Sequence, residues 1–312
     1  MHIRGPIYGI YHQLIPAVGL NVYAVAGSRA TALIDSGISS MSTQVEGLLA
    51  EAMGRAGRLD WLLVTHAHED HIGCNSLVKM KYHAKIAAHR EARPWLEDRA
   101  LHYREFAVFA PDILPEDPIS KAGSMRMMGD PASVDIAIQE GTEIYLGDNV
   151  VLTALHLPGH KPEELAYFER GSRTLILGDA IVCMDLPFFH GHTDGTAIRK
   201  TLQRLPKLVR DLGAQQVLMA HYPPLAPPEF VNLVRRAEEH IAAISNAVLE
   251  SLRDRQRALL RDIFPAVCRR MDKQPEFHSL SAVMAEVEYL ERQGVITKDE
   301  AGNLVYGGHP PN

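Results

Sequence analysis

Thr65-His66-Ala67-His68-Glu69-Asp70-His71-Ile72-Gly73 decides the reading of this 312-residue chain. The stretch follows residues 60–65, a short apolar run (Leu62, Leu63, Val64) that predicts a strand buried on both faces. Two residues apart in extended chain, His66 and His68 leave the backbone on the same side. Asp70 and His71 stand where the chain turns into a helix, aimed back at the same place. Imidazole and carboxylate are the donors a zinc-like ion takes, and a catalytic ion needs about three of them with one position open. Four such side chains within six residues are too crowded for one ion, but they can divide between two.

Further donors stand where other strands end. His160 closes Leu157-Pro158-Gly159-His160, Asp179 closes Leu177-Gly178-Asp179, and His221 closes Met219-Ala220-His221. The strands before them are expected at 150–157, 174–178 and 215–220, with others at 7–15, 21–26, 30–35, 84–89, 142–146 and 164–168. Helices are expected at 42–56, 73–80 and 194–212. Strands and helices thus recur in two similar halves, which suggests two facing sheets with helices outside, a four-layer α/β arrangement. Residues 90–135 read as helical at first and then irregular, with Pro111, Pro115, Pro118, Gly123, Gly129 and Pro131. Their Phe106, Phe109, Met125, Met127 and Met128 suit a lid or pocket wall over an apolar ligand. After Pro223-Pro224 and Pro227-Pro228 the chain turns helical and charged to about 262, followed by a compact tail at 263–306. We therefore expect a catalytic domain over 1–226 and a helical linker with a small domain over 227–312.

The order HxHxDH, then His, Asp and His at separate strand ends, resembles the metallo-β-lactamase superfamily over about residues 7–222. The resemblance implies a four-layer αββα sandwich and two adjacent divalent ions, zinc first, with iron or manganese tolerated by the same donors. It implies that His66, His68 and His160 hold the first ion and that Asp70, His71 and His221 hold the second, with Asp179 bridging. The string Leu33-Ile34-Asp35-Ser36-Gly37 is similar to the family's early strand, so Asp35 would accept the other N–H of a ligand histidine and fix its tautomer. Two cations about 3.5–4 Å apart make hydroxide available near neutral pH and polarise the attacked oxygen. Asp70 and Asp179 are then the catalytic carboxylates, and no Ser or Cys nucleophile is required. His190 and His192, in Pro187-Phe188-Phe189-His190-Gly191-His192, are expected to line the substrate pocket together with Phe106 and Phe109. Cys74 stands where the family often has a second glycine. Val182 replaces the tyrosine that several lactonases carry three residues after the bridging Asp. Asp179 occupies the position of the metal-binding cysteine of one β-lactamase subclass.

These features favour hydrolysis of an ester-like bond in a small molecule: a thioester, a carboxylic ester or a lactone. The open alternatives are a metal-dependent endoribonuclease, a β-lactam hydrolase, and a regulatory metal protein with incidental hydrolysis. The tail, from Ser279-Leu280-Ser281-Ala282 through Gly302-Asn303-Leu304-Val305-Tyr306, resembles the winged-helix appendage of lactamase-like hydrolases. Its helix at 279–293 carries Glu286, Glu288 and Glu291 against Arg292, an acidic balance unsuited to a phosphate-lined groove. The Val283, Val287 and Leu290 face suits docking on the catalytic domain or on a second copy, as in a homodimer.

Apolar content of 46% and charged content of 22% are ordinary for a globular chain, and a formal charge of −6 gives no reason to expect nucleic acid or an anionic membrane. No apolar run reaches the roughly 18 residues of a spanning helix, and Met1-His2-Ile3-Arg4-Gly5-Pro6 lacks a secretory layout. Cys74, Cys183 and Cys268 form no CxxC pair, so we expect buried thiols and a cytoplasmic protein.

Overall fold

The computed structural model describes residues 1–54 and 56–307. Strands β1 (His2–Arg4), β2 (Ile7–Ile15), β3 (Val18–Ala26), β4 (Thr31–Ile34), β5 (Trp61–Leu63), β6 (Lys85–His89) and β7 (Ile136–Ile138) pair in chain order into one sheet. The first four are antiparallel neighbours joined by short turns, whereas β4 to β7 run parallel. Parallel pairing needs crossovers, and α1 (Ser42–Ala52), α2 (Glu69–Ile72) and α3 (Asn75–Tyr82) lie within them. A second sheet has the order β12 (Gln216–Leu218), β11 (Thr174–Ile176), β10 (Leu165–Glu169), β9 (Val150–His156), β8 (Glu143–Gly147).

Side-chain alternation shows how the layers stack. Along β3, Leu20, Val22, Ala24 and Ala26 join Val45, Leu48 and Leu49 of α1. Tyr23 and Val25, on the opposite face, join Leu152, Tyr167 and Leu218 of the second sheet. The outer face of that sheet is covered by α7 (Gly195–Asp211), through Ile198, Leu202 and Leu205. The result is the expected sandwich: helices, sheet, sheet, helices.

Residues 90–135 are helical at first, as expected, but the later part departs from the expectation of irregular structure. They contain α4 (Arg93–Glu97), α5 (Arg99–Ala107) and α6 (Pro118–Met128). Pro118, read as a breaker, opens α6 at its first turn, and Asp117 caps it by accepting the Ser120 N–H at 2.8 Å.

The C-terminal region holds α8 (Pro227–Arg253), β13 (Arg257–Ala258), α9 (Leu260–Arg270), α10 (Phe277–Arg292), β14 (Ile296–Lys298) and β15 (Leu304–Tyr306). Its three strands pair in the order β13, β15, β14. Helix α8 packs against both parts of the chain. Phe230, Leu233 and Val234 pack into the core beneath α7, while Val248, Leu249 and Leu252 pack with α9 and α10. One charge is corrected: Glu286, counted above as part of an acidic helix face, is fully buried. It accepts from Arg199 Nη1 at 2.9 Å and lies 2.8 Å from His192 Nε2, which fastens α10 to the catalytic domain. No described helix is long and apolar enough to cross a membrane. Cys74, Cys183 and Cys268 are free and buried, as expected.

Candidate metal centre

Five chain segments bring the donors and their supporting carboxylate to one edge of the sandwich. Asp35 follows β4 and His66 to His71 follow β5, while His160, Asp179 and His221 follow β9, β11 and β12. Two glycines make the approach possible. Gly159 takes φ +141°, and a Cβ there would lie 2.4 Å from the Ile198 Cα. At Gly178 a Cβ would lie 2.5 Å from both Thr65 Oγ1 and Glu164 Oε1.

Among the described residues the donors form overlapping groups, one of which joins Asp179 to His190 and His221. His66, His68, His160 and Asp179 bring one atom each within 4.8 Å of one another, and so do Asp70, His71 and His221. Asp179 Oδ2 lies between the groups, 3.7 Å from His66 Nε2, 3.6 Å from His160 Nε2, and 3.4 Å from both His71 Nε2 and His221 Nε2.

The outer hydrogen bonds choose which nitrogen faces inward. His160 Nδ1 is 2.7 Å from the Gly191 carbonyl and His221 Nδ1 is 2.9 Å from that of Gly19. A carbonyl only accepts, so these Nδ1 atoms carry a proton and Nε2 is the ring atom turned to the centre. His71 Nδ1 donates likewise to Asp35 Oδ2 at 2.9 Å. Asp35 also accepts from Thr65 N and Thr65 Oγ1, both at 2.8 Å, so the residue just before the His cluster is pinned to the same carboxylate. His66 Nδ1 faces Glu164 Oε2 at 3.2 Å, and Glu164 Oε1 accepts the Asp179 N–H at 2.8 Å. His68 alone turns Nδ1 inward, 2.9 Å from His160 Nε2.

Electrostatics divide the groups in the same way. Burial pushes His66, His68 and His160 well below the usual imidazole range, which keeps them neutral and ready to ligate. Burial also opposes charge on His71 and His221, but there Asp179 and Asp70 outweigh it and hold both rings well above that range. Burial raises Asp179 too, yet His221, His190 and His71 outweigh it and keep it ionised. The centre is therefore built to stabilise positive charge. Asp179 Oδ2 and His71 Nε2 are buried without a hydrogen-bond partner, orphans that a shared cation satisfies. The donor set, its tautomers and these two atoms fit a pair of divalent ions.

The four expected pocket residues fare differently. Phe106 and Phe109 line a cavity of about 160 Å³ beside His68 and His160. His190 sits closer in than expected. Its Nδ1 accepts the Cys183 N–H at 2.8 Å, so its Nε2 carries a proton 3.0 Å from Asp179 Oδ2. His192 lines neither cavity that opens on the cluster and instead binds Glu286. A second cavity, of about 260 Å³, reaches Asp70, His190 and His221 through Leu14, Ile15, Val18, Ile38, Leu186 and Phe188.

Three residues escaped the sequence reading. Glu164 is a carboxylate beside a buried strand, a signal that was present. Lys161 directly follows His160; burial pushes its ammonium down to about 8. His278 comes from α10 and lines both cavities, and nothing local in the sequence ties it to the centre.

Residues 15–219 match the metallo-beta-lactamase superfamily, and the chain belongs to it. It is an α/β hydrolase of that superfamily with a helical C-terminal region. It is 27% identical over 213 residues to a chicken (Gallus gallus) protein named acyl-coenzyme A thioesterase MBLAC2, covering 65% of this chain and 72% of that one. It is 24% identical to the probable metallo-hydrolase YflN of Bacillus subtilis, over 49% of this chain and 56% of that one. A solved metallo-beta-lactamase family protein from Thermus thermophilus superimposes with a TM-score of 0.74 at 19% identity, over 96% of this chain and 98% of that one. A beta-lactamase domain protein from Burkholderia ambifaria gives 0.67 at 16%, over 98% and 93%. Both superpositions extend through the C-terminal region.

Proposed function

We propose that this chain hydrolyses a thioester or related ester of a small molecule, using two divalent ions held by the seven-donor cluster. The observation that carries the reading is the apolar cavity of about 260 Å³ ending on Asp70, His190 and His221. It has room for an acyl group and brings the carbonyl against the donors. The 27% likeness to a protein named as an acyl-coenzyme A thioesterase supports the same substrate class.

Bound in the cluster, two divalent cations supply activated water and a polarised carbonyl. The remaining work falls to the chain. Asp35 and the Gly19 and Gly191 carbonyls orient the ligand rings before substrate arrives. Asp70 is the cluster carboxylate that opens on the cavity, with its side chain 20% exposed against 2% for Asp179, so it is the group placed to hold or pass a proton. His190, held in its tautomer by the Cys183 N–H, places Nε2 3.0 Å from Asp179 Oδ2, an electrostatic contact that helps position that carboxylate. The narrow apolar cavity favours a small acyl substrate over RNA. The order strand, helix, helix, strand, strand over 257–306 supports the winged-helix reading of the tail, here used for docking.

The test is a screen of the zinc-loaded chain against acyl thioesters, carboxylic esters, lactones, a β-lactam and RNA. Thioester or ester turnover that a chelator abolishes is the expected result. Turnover confined to RNA or to the β-lactam refutes it.

A further inference from the structure

Lys161 is a buried cation without a counter-ion. Its residue is 8% exposed, and among the described residues its Nζ makes no hydrogen bond and no ion pair. Its Nζ lies over the Phe106 ring, 3.5 Å from the centroid. Buried ammonium groups are costly unless paired, and a ring face replaces only part of the lost hydration. Glu163, Glu69 and Glu164 act on Lys161 only from beyond ion-pair distance. The cavity that Lys161 lines opens on His68 and His160 at one end. Its two rim carboxylates are already engaged: Glu105 accepts from Trp95 Nε1 at 2.7 Å and Glu288 from Arg292 at 3.4 Å.

We infer that Lys161 is an anion subsite that binds a carboxylate carried on the part of the substrate lying across the metal centre from the apolar cavity. The wall mixes Phe106, Phe109 and Met284 with polar groups, and among the described residues Lys161 is the one Lys or Arg that lines this cavity, so the site suits a single negative charge. His278 and His68 line both cavities, which places the reacting bond at their junction. With the acyl group in the apolar cavity, the carboxylate rides on the thiol or alcohol half. That assignment of halves rests on the proposed ester hydrolysis; the anion subsite itself does not.

The test uses two thioethers that cannot be hydrolysed, 3-(butylthio)propanoate and its neutral analogue 3-(butylthio)propan-1-ol. Calorimetric titration of the metal-loaded full chain at pH 7 is expected to show the acid binding at least about tenfold tighter, the scale of one charge-assisted hydrogen bond. Lys161→Met is expected to erase that preference and Lys161→Arg to keep it, with a thermal melt verifying that both variants fold. Equal affinities in the unmodified chain overturn the subsite. A preference that survives in Lys161→Met also overturns it, because the metal centre then captures the carboxylate. If thioesters and esters are not turned over but the preference depends on Lys161, the proposed reaction falls and the subsite stands.

Discussion

Asp35→Asn separates the two halves of the metal centre. The backbone at Asp35 has φ +56°, a left-handed conformation that Asn adopts as readily as Asp, so the substitution leaves the chain path alone. The carboxylate takes three donors: Oδ1 accepts the Thr65 N–H, and Oδ2 accepts both Thr65 Oγ1–H and His71 Nδ1–H. An amide has one acceptor oxygen and cannot serve both sides. If the oxygen faces Thr65 N, the amide N–H₂ faces His71 Nδ1. The ring must then move its proton to Nε2, the atom that faces the cluster. If the oxygen faces His71, a buried N–H meets a buried N–H₂, which costs about 1–3 kcal/mol. Either way His71 is impaired as a donor while His66 and His160 keep their own outer partners. The expected effect is about 10- to 100-fold in affinity for the second ion, or about 1.4–2.8 kcal/mol. Affinity for the first ion should stay within a factor of about 2. A titration against a chromophoric chelator resolves the two steps. Unchanged affinity in both steps refutes the reasoning, and so does an equal loss in both, which would mark a general loss of structure.

Two further predictions follow from the same geometry. Asp179→Ala removes the oxygen that lies between both donor groups, so one ion per chain should be lost and turnover should fall at least about 100-fold; two tightly held ions by metal analysis would contradict the bridging role. Glu286→Ala strands Arg199 and His192 at the base of α10, and unfolding by denaturant should show a loss of about 3 kcal/mol, whereas a change under about 1 kcal/mol would mean that α10 is held by its apolar face alone.

The donor set was legible in the sequence because metal binding restricts residue type, and strand ends are local features. His66, His68, Asp70, His71, His160, Asp179 and His221 could be named without coordinates, and so could the sandwich, whose strands are written as period-two and fully apolar runs. Pro118 shows the limit of local reading, since the same residue starts a helix or breaks one according to whether a cap precedes it. Here the cap, Asp117, was itself in view. His190 and His192 show the deeper limit. Two residues apart, they would share a side in extended chain, but Gly191 between them takes φ +72° and the two rings reach different partners. Packing of α10 decides: it offers Glu286 to His192 and leaves His190 to Asp179. Lys161 without a counter-ion and His278 at the junction of the two cavities belong to the same class. Each acquires its meaning from groups far away in the chain, and only tertiary structure sets those distances.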